Sequence, residues 1–253
     1  MNTTIDKKEI EFFSKFNKEW WDLEGPLGAL HKLTDSRVKF VLRNVSRITE
    51  EKNLYPLLNL KCIDIGCGGG ILAERLKRLG GNVTGIDISK KTIKVAIDHA
   101  KKSKLDIHYE CHSTSSFLKK NKRIKFDVVI ASEVIEHVEN RLKFLSDLSK
   151  IVKDNGLVIL TTLNKSITSA IFGKFLAENF LKIIPQGSHD IEKFVAPETL
   201  VKEGKKFNIY FDDLVGFAPT FTISSFFKRK IHSFKTTSYP IVNYGIAGLK
   251  INQ

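Results

Sequence analysis

Two kinds of apolar spacing alternate along the middle of the chain. Short apolar runs predict strands at Cys62-Ile63-Asp64-Ile65, Val83-Thr84-Gly85-Ile86-Asp87, Phe126-Asp127-Val128-Val129-Ile130 and Leu157-Val158-Ile159-Leu160, with a weaker one at 107–110. Helical spacing follows the first strand through Leu79 and returns over residues 92–102. This alternation predicts βαβ units around a parallel sheet. The fifth strand is expected to be entered through the turn Lys153-Asp154-Asn155-Gly156. Upstream, residues 5–24 predict a short amphipathic helix, and Gly25, Pro26 and Gly28 a turn. Residues 35–49 predict a second helix with Val38, Val41, Leu42 and Val45 on one face. After Thr161 the alternation stops, and strand-like segments close the chain around 208–217, 220–227 and 240–249.

These patterns divide the chain into an N-terminal helical cap (1–55), an α/β core (56–163), an insertion (164–194) and C-terminal strands that complete the sheet (195–253). The expected fold is α/β and Rossmann-like, with a mostly parallel central sheet, helices on both faces and an antiparallel C-terminal edge. Composition adds exclusions. With 42% hydrophobic and 27% charged residues the chain is globular, which excludes a basic disordered tail as the whole account. Three cysteines without paired spacing fit a reducing cytoplasm better than a disulfide framework. The opening MNTTIDKKEI carries Asp6 and Glu9, so neither a secretory signal nor a transit peptide is expected, and no apolar run reaches the roughly 18–20 residues of a membrane span. Forty-one Lys and Arg against 28 Asp and Glu give a net charge of +13, open to nucleic acid, a membrane surface or plain solubility.

The candidate chemistry begins at Asp64-Ile65-Gly66-Cys67-Gly68-Gly69-Gly70, between the first strand and its helix. Glycines there let the backbone turn sharply and approach a ligand closely. A dinucleotide loop would read G-x-G-x-x-G, but Ile71 stands at its last glycine position counted from Gly66. Asp87 ends the second strand about 20 residues on, where a carboxylate can accept both hydroxyls of a ribose. The spacing resembles the D/E-x-G-x-G-x-G loop of class I S-adenosylmethionine-dependent methyltransferases, which implies cofactor contacts from Asp64, Gly66, Gly68, Gly70 and Asp87.

Longer strings narrow the resemblance. Trp20-Trp21-Asp22-Leu23-Glu24-Gly25, Leu30-His31, the loop continued to Glu74, Glu133-Val134-Ile135-Glu136-His137-Val138, Thr162-Leu163-Asn164, Pro185-Gln186-Gly187-Ser188-His189-Asp190 and Val242-Asn243-Tyr244 are similar to the ubiquinone-biosynthesis O-methyltransferases. The matches run from about residue 10 to 250. The resemblance implies methylation of two phenolic hydroxyls on polyprenylated rings, 2-polyprenyl-6-hydroxyphenol and 3-demethylubiquinol. It adds Arg37 and Ser132 to the cofactor contacts; read alone, Arg37 is a helix-surface charge. Gly216-Phe217-Ala218-Pro219 departs from the family, where many members carry a more polar turn with histidine and asparagine.

Methyl transfer from a sulfonium is an in-line displacement, so the protein must align the acceptor oxygen and favour phenolate over phenol. An unperturbed phenol ionises near pH ~10, which calls for a base or a metal. Glu133, Glu136 and His137 follow the fourth strand, at the edge where parallel-sheet sites form. The resemblance implies Mg²⁺ held by these three. The competing reading makes His137 the general base, with Glu133 beside it as a catalytic residue, with or without a metal. His31 and His189 read equally well as loop hydrogen-bonding residues.

Within the insertion, Ile171, Phe172, Phe175, Leu176, Phe180, Ile183 and Ile184 share one helical face. That stripe suits core packing or a membrane surface, and a polyprenyl substrate favours the membrane. Lys228-Arg229-Lys230, beside Phe226 and Phe227, suits anionic headgroups or nucleic-acid phosphates. The expectation is a cytoplasmic protein peripheral on the inner membrane, with no nucleic-acid partner and able to join a ubiquinone-biosynthesis complex. Against RNA or DNA as substrate, Ala131-Ser132-Glu133 ends the fourth strand where amino-methylating enzymes carry Asn/Asp-Pro-Pro-Tyr.

Overall fold

The computed structural model describes residues 19–49, 54–165, 194–227 and 230–252. Its first helix is α1 (Gly28–Val45). A βα series follows: β1 (Lys61–Ile65), α2 (Ile71–Arg78), β2 (Asn82–Asp87), α3 (Lys90–Lys102), β3 (His108–Cys111), α4 (Thr114–Lys120), β4 (Phe126–Ser132), a 3₁₀ turn (Ile135–His137), α5 (Arg141–Ile151) and β5 (Val152–Leu163). The chain closes with α6 (Pro197–Lys205), β6 (Ile209–Thr220), α7 (Ile223–Phe227), β7 (Ser233–Thr237) and β8 (Asn243–Lys250). The sheet order is β3-β2-β1-β4-β5-β8-β6-β7. Strands β1 to β5 pair in parallel, and β8, β6 and β7 join antiparallel. This is the architecture expected from the sequence.

Apart from the edge strand β3, the parallel strands are buried on both faces, so alternate side chains feed two separate cores. Ile63, Val129, Ala131, Val158 and Leu160 point to one, packed under Phe117 of α4, Leu145 and Leu148 of α5 and Leu200 of α6. Cys62, Val128, Ile130, Leu157 and Ile159 point to the other, under Phe40 of α1, Leu76 of α2 and Ala96 of α3. The order reverses direction between β1 and β4, and such a switch opens a crevice at the carboxyl ends of the strands.

Polar contacts dock α1 on the antiparallel edge. Ser36 Oγ donates to the Phe234 carbonyl (2.8 Å) and Lys32 Nζ to that of Ile231 (2.7 Å). Arg43 grips Asp213 with two donors, Arg47 pairs with Asp212 at 2.7 Å, and Asn44 Nδ2 donates to Asp213 at 2.7 Å. A register shift in β6 between Phe211 and Asp213 re-aims these two acids. The helix is thereby held along the crevice.

Several boundaries differ from the sequence reading. Residues 19–25 form turns, where a helix was expected to reach residue 24; the rest of that expected helix lies outside the described residues. Helix α1 starts at Gly28, seven residues before the expected start, because the inward face of its first turns is Gly28, His31, Thr34 and Arg37 rather than an apolar stripe. The expected turn at 153–156 is part of β5. It forms an irregular stretch in which Phe126 opposes Val152 but Val128 opposes Leu157, with Asn155 taking up the distortion at φ +60°. The expected strand over 220–227 ends at Thr220 and gives way to helix α7. There the Thr222 N–H donates to Ser225 Oγ (2.8 Å) and the Ser225 N–H to Thr222 Oγ1 (3.1 Å), a reciprocal cap that a strand would not make. Helices α4, α5 and α6 and strand β7 had no counterpart in the sequence reading. The 171–184 stripe, His189, Lys228 and Arg229 lie outside the described residues, and so do the side chains of Phe226 and Phe227.

Candidate active site

The loop after β1 is shaped by three left-handed glycines, Gly66 (φ +70°), Gly68 (φ +51°) and Gly70 (φ +88°). A Cβ on Gly66 would stand 2.4 Å from Val134 Cγ2. Gly66 and Cys67 N–H groups donate to the Ile86 carbonyl at 2.8 and 3.0 Å, which ties the loop to β2. Asp87 completes the tie. Its Oδ2 accepts the Gly68 N–H at 3.0 Å, and its Oδ1 accepts the Ser89 N–H at 2.8 Å and the Thr92 hydroxyl at 3.3 Å. Burial raises the Asp87 pKa despite these donors.

The crevice beside this loop is a cavity of about 260 Å³, far above the ~30 Å³ share of one water. Arg37, Asp64, Gly66, Gly68, Asp87, Ser132, Glu133 and His137 line it, so the structure brings together most of the residues singled out from the sequence. Gly70 and Glu136 stand apart. Gly70 does not line the cavity; a Cβ there would meet Tyr109 Oη at 2.5 Å and Ala96 Cβ at 3.1 Å, so its small size serves packing of the start of α2 against α3 and β3.

Asp64 is 2% exposed, and its Oδ2 has no hydrogen-bond partner. Burial pushes its pKa up to about 7, opposed by the nearby Arg37 and reinforced by Asp87. A cation from a ligand would satisfy it. Ser132 Oγ is likewise buried without a partner. Arg37, 3% exposed, reaches Glu133 Oε1 at 2.8 Å.

Glu133 has φ +54°, a left-handed backbone that costs a non-glycine residue roughly 1–2 kcal/mol. Its N–H donates to the Thr161 carbonyl (2.9 Å), which holds the turn. Thr161 Oγ1 donates to Oε1 at 2.9 Å, and Asn243 Nδ2 to Oε2 at 3.1 Å. Strand β8 thus supplies a contact that the parallel core alone would not.

The Mg²⁺ ligand set expected from Glu133, Glu136 and His137 does not fit this arrangement. Glu136 is buried away from the cavity and accepts the Thr162 hydroxyl at 2.8 Å. Burial pushes its pKa up to about 7, helped by Glu133 and opposed by His137. Glu133's oxygens already face Arg37, Thr161 and Asn243. Among the described residues, no group of three or more His, Cys, Asp or Glu is placed to hold a metal ion.

The N-terminal segment also enters the site. The Trp20 ring lies over the loop, so that a Cβ on Gly68 would sit 2.5 Å from Trp20 Cη2 and one on Gly69 2.7 Å from Cδ2. Trp21 Nε1 donates to the Gly69 carbonyl at 3.1 Å, and the Trp21 ring stacks on His99 with centroids 3.4 Å apart. His99 Nδ1 is 2.6 Å from the buried Glu74. His31 Nε2 donates to the Trp20 carbonyl at 2.8 Å, and burial lowers the His31 pKa. The cavity's far wall, unread in the sequence, holds Ser115, Lys143 and the buried Asp147, with Ser115 and Lys143 both bonded to Asp147. The paired tryptophans were the available signal for the first group; for the second there was none.

Comparison with known proteins decides the family. Residues 63–160 match the model of a methyltransferase domain. The ubiquinone biosynthesis O-methyltransferase of Pelagibacter ubique (strain HTCC1062) is 42% identical over 242 residues, 95% of this chain and 96% of that one. The chain belongs to the ubiquinone biosynthesis O-methyltransferase family. A relative of the same name from Brucella melitensis biotype 2 is 38% identical over 85% of this chain and 86% of its own. The fold agrees. Magnesium protoporphyrin IX methyltransferase from Synechocystis PCC 6803, solved with bound SAH, matches with a TM-score of 0.65 at 17% identity, covering 97% of this chain and 100% of that one. A possible histamine N-methyltransferase from Thermotoga maritima matches with a TM-score of 0.58 at 18% identity, over 95% and 98% of the two chains. This family member is a methyltransferase whose cofactor is S-adenosylmethionine.

Proposed function

We propose that the chain methylates phenolic hydroxyls of polyprenylated rings in ubiquinone biosynthesis, with 2-polyprenyl-6-hydroxyphenol and 3-demethylubiquinol as acceptors. Its end-to-end similarity to relatives of that name carries the reading. The cavity is chemically suited to it. Asp87, Asp64, Arg37, Gly66 and Gly68 all line it. Asp87 would accept from ribose hydroxyls, Asp64 would pair with the cofactor's ammonium, Arg37 would pair with its carboxylate, and the two glycines would let it lie close to the backbone. Bound S-adenosylmethionine would supply an activated methyl group, released from sulfur as the acceptor oxygen displaces S-adenosylhomocysteine from it. Glu133 and His137 line the cavity and would take the phenol proton.

Purified protein with methyl-labelled cofactor should label a ring oxygen of a short-chain demethylubiquinol analogue. Transfer to RNA, with none to the quinol, would overturn the reading. Activity indifferent to EDTA is expected, since Glu133 is engaged by Arg37, Thr161 and Asn243 and Glu136 by Thr162.

Contact with a membrane surface forms part of the proposal, as does a place in a ubiquinone-biosynthesis complex. Phe221, Ile223, Tyr239 and Ile241 are exposed, and the segment carrying the last two lies beside the end of β5, where Asn164 donates to the Pro240 and Val242 carbonyls. Among the described residues no helix is long and apolar enough to cross a membrane. Flotation with anionic liposomes should fall in an I223D/Y239D variant; unchanged flotation would count against the contact.

A further inference from the structure

Arg37 is a buried guanidinium on the cavity wall, and a buried cation needs a counter-charge. In this structure Glu133 supplies it, Oε1 lying 2.8 Å from Arg37 Nη2. Lys143, which also lines the cavity, is half exposed and already pairs with Asp147. A ligand carboxylate entering beside Asp64 therefore meets Arg37, and Arg37 is then claimed by two carboxylates.

Glu133 can give way. Thr161 Oγ1 still donates to Oε1 at 2.9 Å, and Asn243 Nδ2 to Oε2 at 3.1 Å, so the carboxylate is not stranded when the guanidinium turns to the ligand. Its side chain is 26% exposed and on the wall of the cavity, against 4% for Arg37. Released, it presents an anion to whatever occupies the remainder of the crevice.

We propose that Glu133 and the cofactor's carboxylate exchange on Arg37. The cofactor takes the guanidinium, and the freed Glu133 becomes the hydrogen-bond acceptor for the substrate hydroxyl. Cofactor binding thus precedes acceptor binding and prepares it. The inference rests on the proposed methyl transfer, since it needs an amino-acid cofactor and a hydroxyl acceptor.

The test compares two probes on the full chain by calorimetry. S-adenosylhomocysteine carries the carboxylate; methylthioadenosine lacks the amino-acid part. In E133Q, S-adenosylhomocysteine should bind about 5–10-fold tighter because its competitor is gone, while methylthioadenosine stays within about twofold. At saturating cofactor, kcat should fall about 100-fold or more. E133N, whose side chain tolerates the left-handed backbone, is the second variant and should show the same selective gain. Equal or weaker S-adenosylhomocysteine binding with unchanged methylthioadenosine binding would overturn the exchange. Loss of methylthioadenosine binding in both variants would also overturn it, by making Glu133 a structural strut. If the unsubstituted protein fails to bind S-adenosylhomocysteine at all, the methyltransferase reading itself falls, which is a separate result.

Discussion

The site is built by two regions that obey different rules. On the sheet edge, Gly66, Gly68 and Asp87 owe their places to local backbone demands: left-handed φ values, and N–H groups donated within 20 residues of chain. In the N-terminal segment, Trp20, Trp21 and Arg37 owe theirs to distant partners. Trp21 bonds to Gly69, Arg37 to Glu133, and α1 is positioned by acids on β6 nearly 170 residues away. Local constraint leaves a spacing in the sequence; docking over long distance does not. The first region should therefore fail through its backbone when altered, and the second through loss of ligand contacts while the core stands.

The largest effect is expected from Gly66→Ala. A left-handed alanine and a Cβ 2.4 Å from Val134 Cγ2 should together cost about 2–5 kcal/mol, read as a lowered urea midpoint with cofactor binding lost. An unaltered midpoint would show that the loop relaxes easily. Next, Asp87→Ala should weaken S-adenosylhomocysteine binding by roughly 1.5–3 kcal/mol, about 10–150-fold, through loss of charged hydrogen bonds.

Asp64 adds a pH dependence that joins the two regions, since it lies beside Arg37. Its folded-state pKa is raised from 3.8 to about 7. The ligand-free native protein therefore holds a proton that the unfolded chain has lost, and its stability should fall as pH rises through that window. Asp87 and Glu136, also raised by burial, act in the same direction. The cofactor's ammonium favours the ionised form, so S-adenosylhomocysteine affinity should rise between about pH 5.5 and 7, by no more than about tenfold per unit. Asp64→Asn should flatten that rise; a slope that persists would place the proton elsewhere. Trp21→Phe should be mildest. It removes the bond to Gly69 and keeps most of the ring stacked on His99, for about 0.5–1.5 kcal/mol in cofactor affinity and little change in the urea midpoint.

The same contrast explains what was legible. Strands β1, β2, β4 and β5 are buried on both faces and read as near-continuous apolar runs, so the parallel core and its loop followed from the sequence. Helix α5 carries Phe144, Leu145, Leu148 and Ile151 at helical spacing behind an Asn140 cap, a signal present in the sequence itself. Strand β7 is a half-exposed edge with no apolar run, and α7 hides its cap inside a β-branched and aromatic string. At the site, Arg37 was reached through family resemblance alone, because nothing near it in sequence marks a buried cation. Glu136 entered the expected ligand set through resemblance as well, whereas the 3₁₀ turn directs it to Thr162.

One measurement bears most directly on the claim that both regions form the cofactor site. Calorimetric titration of S-adenosylhomocysteine into Arg37→Met should show affinity reduced about 10–150-fold, with methylthioadenosine affinity nearly unchanged. An S-adenosylhomocysteine affinity within about twofold of the unsubstituted protein would mean that the N-terminal segment merely covers a site made by the sheet edge alone.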